Sequence, residues 1–128
     1  MKKPIIIAFL LLFSAGLAFA SDWQGKVVGI TDGDTLTILD SAKKQHKIRL
    51  AEIDAPEKGQ PYGSKSRQAL SELVFGKVVR VKKVTTDRYG RTIALIYLTE
   101  DNLTETNVNK LMVQSGAAWV YRKYVKDK

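Results

Sequence analysis

Hydrophobic and polar residues alternate in short segments through the part of the chain that follows residue 21. Val28 and Ile30 stand two positions apart within residues 25–31, and the β-branched run at 35–38 repeats this spacing. A period of two is typical of a half-buried strand, and the Asp-Gly pair between the two segments is a common hairpin turn. Residues 47–53 alternate again, so the pattern predicts three consecutive strands.

The hydrophobic period changes to that of a helix over residues 61–75. Four apolar side chains there fall on one helical face: Ala69, Leu70, Leu73 and Val74. Pro61 suits the first turn of a helix, and Gly76 suits the position just after its end. The pattern therefore predicts one amphipathic helix that packs against the strands.

Alternation returns over residues 77–84 and over 93–98, with a Tyr-Gly turn between them. Apolar residues then recur at spacings of three and four from Val108, which predicts a second helix that stops at Gly116. Three strands, a helix, two strands and a helix suggest a β-barrel with helices, namely an OB-fold with a five-stranded barrel and two helices. An open α+β sheet is the alternative.

The N-terminal segment has the features of a secretion signal. Two lysines precede an apolar run at 5–13, and the sequence AFA at 18–20 matches an A-x-A cleavage site. An uncleaved membrane anchor is the weaker alternative, because the run is shorter than the roughly 20 residues that a span needs. We expect residues 1–20 to be removed after Ala20, which leaves a secreted or periplasmic domain over 21–128 with no membrane attachment.

The charge balance favours a polyanionic partner such as nucleic acid. The whole chain carries a formal charge of +8, and residues 21–128 hold 19 basic and 13 acidic side chains. The alternative is a basic protein kept soluble by its charge. The chain has no cysteine and one histidine, which excludes disulfides, thiolate zinc sites and a His-rich metal site. We expect that histidine, His46, to be a solvated strand-end residue.

Two acidic clusters offer oxygen ligands for a hard cation. The first is the DGDT sequence at 32–35, which taken alone is also ordinary hairpin chemistry. The second consists of Asp54 and Glu57 on either side of Pro56, and a polar strand end is its alternative explanation. Because Pro56 bends the chain, both carboxylates can face one hollow. Together the clusters suggest a metal-assisted phosphodiesterase.

Two arginines add phosphate-binding groups to this inventory. Arg49 lies on an otherwise apolar strand, where a charged side chain needs a carboxylate or a phosphate as its partner. Arg91 follows a turn, and a planar guanidinium suits two oxygens of one phosphate better than an ammonium does. The alternatives are an ion pair of Arg49 with Glu52 or Asp54, and a solvated hairpin position for Arg91.

Several stretches in the right order make the chain resemble the thermonuclease (staphylococcal nuclease-like) family from about residue 25 to 124. The matching sequences are DGDT at 32–35, IRLAEIDAPE at 48–57, YG at 62–63, TDRYGR at 86–91 and VNKLMVQSGAAWVY at 108–121. The resemblance implies an OB-fold, one bound Ca²⁺, and an endonuclease that hydrolyses DNA and RNA to 3′-phosphate ends. We further expect a monomer that acts on single-stranded or frayed nucleic acid without a stable protein partner.

The resemblance also implies a metal-binding set. Its members are the carboxylates of Asp34 and Asp54 and the backbone carbonyl of Ala55, with Asp32 as a nearby acid. Ala55 stands where the family often has threonine. Since that position contributes its carbonyl oxygen, we expect the change of side chain to leave metal binding intact.

Catalytic and substrate-binding roles follow from the same resemblance. Arg49 and Arg91 would bind the scissile phosphate, and Glu57 is the candidate general base for the attacking water. The implied substrate-binding residues are Arg88 and Tyr89, followed by Tyr121 and Tyr124 as competing candidates for a second aromatic wall.

Two departures from the family bear on access and stability. The segment from Glu57 to Tyr62 is short, which should affect substrate access more than chemistry. Family members usually continue past the position of Lys128 into a third helix, so we expect exposed apolar surface and a marginal fold. The alternatives are a non-catalytic OB-fold module that binds nucleic acid, a truncated and poorly folded nuclease homologue, and a structural or plasmid-maintenance accessory.

Overall fold

Strands and helices alternate along the part of the chain that the computed structural model describes, which comprises residues 22–100 and 104–120 without the side chain of Glu100. The strands are β1 Asp22–Asp32, β2 Thr35–Leu39, β3 Gln45–Leu50, β4 Ile53–Asp54, β5 Val78–Thr86, β6 Thr92–Glu100, β7 Thr104–Asn107 and β8 Trp119–Val120, and the helices are α1 Gly63–Val74 and α2 Val108–Gln114. The predicted signal segment, Tyr121 and Tyr124 lie outside the described residues. Neither helix has the length and hydrophobicity that crossing a bilayer demands.

Five of these strands close into a barrel. β1 pairs with β2 and β5, β2 pairs with β3, and β5 pairs with β6, all antiparallel. The parallel pairing of β3 with β6, which sets Arg49 opposite Ile93, joins the two ends of the sheet. With two helices packed on it, this barrel has the OB-fold topology, which confirms the predicted fold and excludes the open sheet.

The core fills the barrel and extends to the inner faces of both helices. The predicted alternation is confirmed in β5, where Val79 and Val81 are buried between exposed or half-buried neighbours. Leu70 and Val74 of α1 and Met112 of α2 are fully buried. The helices therefore close the barrel with the apolar faces that their spacing predicted.

The N-terminal strand faces the core with a different phase from the predicted one. Val28 is 36% exposed, whereas Val27 and Ile30 are buried. A break in the register between Val27 and Gly29 inserts one extra residue against β2. Such a bulge restores the inward direction after three residues instead of two, so the prediction that Val28 shares a face with Ile30 was wrong.

Two predicted boundaries also move, because residues there adopt positive φ. The strand predicted over 47–53 ends at Leu50, and Glu52 has φ 67° before the chain resumes as β4, which pairs with β8. The first helix begins at Gly63 rather than Pro61, since its N-cap, Tyr62, is left-handed with φ 64°. Positive φ is uncommon outside glycine, and hydrophobic spacing carries no signal for it.

His46 is not the solvated residue that we expected. Its Nε2 lies 2.8 Å from Oδ2 of Asp40, and its ring packs against that of Trp23 with centroids 4.6 Å apart. The hydrogen bond with His46 is the main cause that lowers the pKa of the Asp40 carboxyl. His46 thus fixes the β2–β3 hairpin and lies outside the acidic clusters.

The buried side chain of Asn109 attaches α2 to the barrel. Its Oδ1 accepts the amide of Ile96 at 3.1 Å, and its Nδ2 donates to the carbonyls of Ala51 and Ala94 at 3.0 and 3.1 Å. One side chain therefore binds three buried backbone groups at the end of β3 and inside β6, one of which, the Ala94 carbonyl, also accepts the amide of Ala51.

Replacing Asn109 by alanine should destabilise the fold by about 3 kcal/mol, because each unsatisfied buried polar group costs about 1–3 kcal/mol. Urea unfolding measures the change as a lower midpoint at an unchanged slope. Asn107→Ala is the control, since it removes only the cap that accepts the amide of Lys110 and should cost about 1 kcal/mol. Equal losses in the two variants would contradict the role given to Asn109.

Candidate functional site

The turn between β1 and β2 delivers Asp34 to a buried position beside the end of β4. Only 6% of Asp34 is exposed; its Oδ1 accepts the Thr35 hydroxyl at 2.8 Å and its Oδ2 accepts the Ala55 amide at 3.0 Å. Gly33 allows this approach, because a Cβ there would lie 2.9 Å from the Cβ of Ser66 on α1 and 3.1 Å from that of Ala55. The tight packing of this turn therefore fixes where the Asp34 carboxylate points.

Asp54 meets the same backbone amide from the other side. Its Oδ1 accepts the Ala55 amide at 3.0 Å, as Oδ2 of Asp34 does. The pairing of Asp54 with Trp119 across β4 and β8 fixes its backbone, and Ala55 itself is buried. The structure thus brings together the two carboxylates that the sequence predicted to converge, with Ala55 between them.

Arg49 completes a cluster of opposite charges. Its Nη2 lies 3.2 Å from Oδ1 of Asp54 and 3.5 Å from Oδ2 of Asp34. Its Nη1 donates to the carbonyl of Ile53 at 3.0 Å and to that of Leu50 at 3.3 Å. The ion pair with Asp54 that we considered as an alternative is therefore present, and it lies within the predicted site.

Charge compensation in this cluster is incomplete. Burial is the main cause that raises the pKa of Asp34, and proximity to Asp54 raises it further. The Arg49 guanidinium and the Thr35 hydroxyl oppose these effects without cancelling them. Two carboxylates share one guanidinium, so the site favours an additional positive charge.

The donor atoms suit a hard cation. The carboxylates of Asp34 and Asp54 and the backbone carbonyl of Ala55 are all oxygen ligands, as Ca²⁺ requires, and water can supply the remainder of its six to eight ligands. Among residues 22–100 and 104–120, no group of three or more Asp, Glu, His or Cys side chains is placed to hold a metal. The carboxylates of Asp34 and Asp54 are therefore the acidic ligands that the described residues offer here, and a backbone carbonyl is a neutral one.

Asp32 and Glu57 lie beside this cluster without joining it. Oδ1 of Asp32 accepts the amide of Lys58 at 3.0 Å and so holds the segment that carries Glu57. The Glu57 amide donates to Oε1 of Gln60 at 2.6 Å, and its carboxylate makes no hydrogen bond or ion pair with any described residue. The Glu57 side chain is exposed and can reach solvent or a bound substrate.

Arg91 occupies the neighbouring edge of the barrel and is fixed by a different acid. Its Nε donates to Oδ2 of Asp87 at 2.8 Å, and its backbone amide donates to Oδ1 at 2.9 Å. Tyr89, which is 70% exposed, lies under the guanidinium groups of Arg91 and Arg88 at 5.7 and 5.3 Å from its ring centroid. Arg91 makes no contact with the acidic pair, so a phosphate would have to bridge them.

Sequence reasoning missed two residues that position this site. The Thr35 hydroxyl donates to the Asp34 carboxylate. Thr35 also pairs with Arg49 across β2 and β3, so it sets the position of Asp34 relative to Arg49 along the strands. Gly63 lies under the carbonyl of Glu57, where a Cβ would collide with the backbone. The sequence held a signal for each, since Thr35 belongs to the DGDT stretch and Gly63 to the YG pair.

Known nucleases are similar to this chain in sequence. A family model described as staphylococcal nuclease homologue matches residues 47–128. The chain is 43% identical over 127 residues to an uncharacterized endonuclease of Haemophilus influenzae, and the alignment covers 98% of this chain and 68% of that protein. It is 46% identical over 110 residues to a micrococcal nuclease of Shigella flexneri, with 83% and 63% covered, and 44% identical over 127 residues to an uncharacterized endonuclease of Escherichia coli, with 99% and 78% covered. The chain therefore spans about two thirds to three quarters of these relatives.

Acidification should loosen the Arg91 loop through Asp87. Desolvation raises the pKa of Asp87, but hydrogen bonds from Arg91 and from the Tyr89 amide outweigh it and leave that pKa below its ordinary value of 3.8. A lowered carboxyl pKa contributes stability above the ordinary value, and this is lost as the pH falls through the lowered one. Asp87→Asn should therefore lower the Tm at pH 7, and the difference from the unmodified protein should shrink as the pH falls below 3.8 and through the lowered pKa; a difference that is independent of pH would contradict this.

Proposed function

Since this chain belongs to the staphylococcal nuclease family and is a nuclease-type hydrolase that binds nucleic acid, we propose that it is a calcium-dependent endonuclease acting on DNA and RNA. Its products would be 3′-phosphate ends. The observation that carries the proposal is the convergence of Asp34 and Asp54 on the Ala55 amide beside Arg49. A module that only binds nucleic acid has no need of two adjacent carboxylates, one buried and one half-exposed, at the place where a phosphate should bind.

In this proposal the acidic pair holds the ion and the arginines hold the phosphate. The ion would be bound by Asp34, Asp54 and the Ala55 carbonyl, and when bound it supplies polarisation of a phosphoryl oxygen and orientation of water. Arg49 on β3 and Arg91 just before the paired strand β6 would bind the same phosphate. Their donors stabilise the negative charge that develops on phosphorus, an effect worth roughly 3–4 kcal/mol for each well-placed donor.

Glu57 would accept the proton of the attacking water. Its carboxylate is exposed and makes no contact with described residues, so it is available as a base. Asp32 and Gly63 both act on the peptide that follows it, since Asp32 accepts the Lys58 amide and Gly63 leaves room for the Glu57 carbonyl. Their role is to keep the Glu57 backbone at a fixed distance from the β1–β2 turn that carries Asp34.

The substrate would be bound beyond the scissile phosphate by the exposed loop after β5. Tyr89 presents a ring on which a base can stack, and Arg88 adds a positive charge beside it. Tyr121 and Tyr124 remain the candidates for a second aromatic wall. We also propose that the enzyme is monomeric and is exported after cleavage behind Ala20.

Removal of either arginine should abolish most of the activity. Arg49→Ala and Arg91→Ala should each lower turnover on single-stranded DNA by about 10²-fold or more, with a smaller effect on binding. Arg67→Ala is the matched control, because that guanidinium lies on α1 and bonds only the Ile30 carbonyl among described groups. Turnover close to that of the Arg67 variant would refute the phosphate-binding roles.

Calcium should stabilise the protein through the acidic pair, which separates metal binding from catalysis. At 100 times its dissociation constant, a ligand that binds only the folded state adds about 2.7 kcal/mol and raises the Tm, and EDTA should reverse the rise. Asp54→Asn should remove this calcium-dependent rise, whereas Glu72→Gln on the exposed face of α1 should retain it. An undiminished calcium-dependent rise in Tm in the Asp54 variant would exclude the proposed ligands. Tight binding of single-stranded DNA by the unmodified protein without cleavage would favour the binding-module alternative.

A further inference from the structure

A row of cations runs along the outer face of the β3–β6 seam. Ile48 pairs with Thr92 and Arg49 with Ile93 in this parallel pairing. Lys47 precedes Ile48 on β3, and Arg91 is the residue just before β6, so continuing this register beyond its last pair sets the two cations next to each other. Ile48 and Leu50 are fully buried, and since side chains alternate along a strand, Lys47 and Arg49 both face outward.

Lys47 differs from its two cationic neighbours because its side chain has no partner among the described residues. Arg49 is bound to Asp34 and Asp54, and Arg91 is bound to Asp87. Lys47 is exposed and makes no hydrogen bond or ion pair with any described residue. The folded state therefore does not use its charge, which is available to a ligand.

The residues beside Lys47 have small side chains or none, so a polymer backbone can approach this surface closely. Thr37 lies opposite Lys47 on β2, and Gly29 lies opposite Thr37 on β1. A Cβ on Gly29 would meet only the Thr37 side chain, at 3.6 Å or more, so the fold itself does not demand glycine there. Glycine inside a strand often marks such a close approach.

We propose that this row is a phosphate track for the single-stranded nucleic acid that the site cleaves, with Lys47 binding the phosphate next to the scissile one. Lys47 and Arg49 are two residues apart on β3, which separates their origins by about 6.6 Å. This spacing is comparable with that of neighbouring phosphates in an extended single strand. The inference rests on the proposed nuclease function. It adds the direction in which the bound nucleic acid extends from the acidic pair, which is along β3 toward Lys47.

The test measures the salt dependence of binding with the full chain and a fluorescent single-stranded oligodeoxynucleotide, in EDTA so that cleavage does not intervene. Each phosphate contact on a single strand contributes about 0.7 to the slope of log affinity against log salt. Lys47→Ala should reduce the slope by about this amount, and Lys47→Arg should retain it. Lys110→Ala, which removes an exposed charge from α2, is the matched control and should leave the slope unchanged.

Kinetics on the same variants separate this contact from the catalytic ones. With calcium present, Lys47→Ala should raise KM and leave kcat near that of the unmodified protein, because a contact with a non-reacting phosphate stabilises substrate and transition state equally. A slope and a KM equal to those of the Lys110 variant would overturn the phosphate track alone. Failure of the unmodified protein to bind the oligonucleotide would overturn both the phosphate track and the proposed function. A circular dichroism spectrum checks that each variant is folded.

Discussion

The amide of Ala55 is the group on which the arrangement of this site depends. It donates to one carboxylate from the β1–β2 turn and to another from the end of β4, and so ties together two segments that are separate in sequence. The amide of Leu50 adds a second tie, because it donates to the carbonyl of Asp34 at 2.8 Å. Backbone atoms thus set the distance between the two acids, which explains why the side chain at position 55 can be small.

Holding two carboxylates this close has a cost that the rest of the site offsets only in part. Burial raises the pKa of Asp34, and the neighbouring Asp54 carboxylate raises it further. The Arg49 guanidinium compensates part of the solvation that the Asp34 carboxylate loses on burial, and it donates to the backbone carbonyls of Leu50 and Ile53. In the calcium-dependent enzyme that we propose, such a site would trade stability of the fold for affinity toward the cation, a trade common in functional sites.

The sequence predicted the barrel well because the barrel depends on hydrophobic spacing. The convergence of Asp34, Asp54 and Arg49 followed from the family resemblance, whereas the residues alone indicated a hollow shared by Asp54 and Glu57, with an Arg49–Asp54 ion pair as an alternative. Sequence reasoning failed where the backbone departs from regular geometry, as in the bulge after Val27 and the positive φ of Glu52. It also misjudged His46, since its partner Asp40 and its neighbour Trp23 meet only once three strands have paired.

The parallel seam between β3 and β6 has a consequence for the order of folding events. It joins strands that are separated in sequence by α1 and β5. Contacts of such long range form slowly, because the chain must lose loop-closure entropy before they can stabilise it. Arg49 and Arg91, the residue just before β6, come near each other only when this seam forms. In the proposed enzyme, a partly assembled chain would therefore hold its acids without its full set of guanidiniums, and hydrolytic activity would arise only with the finished barrel.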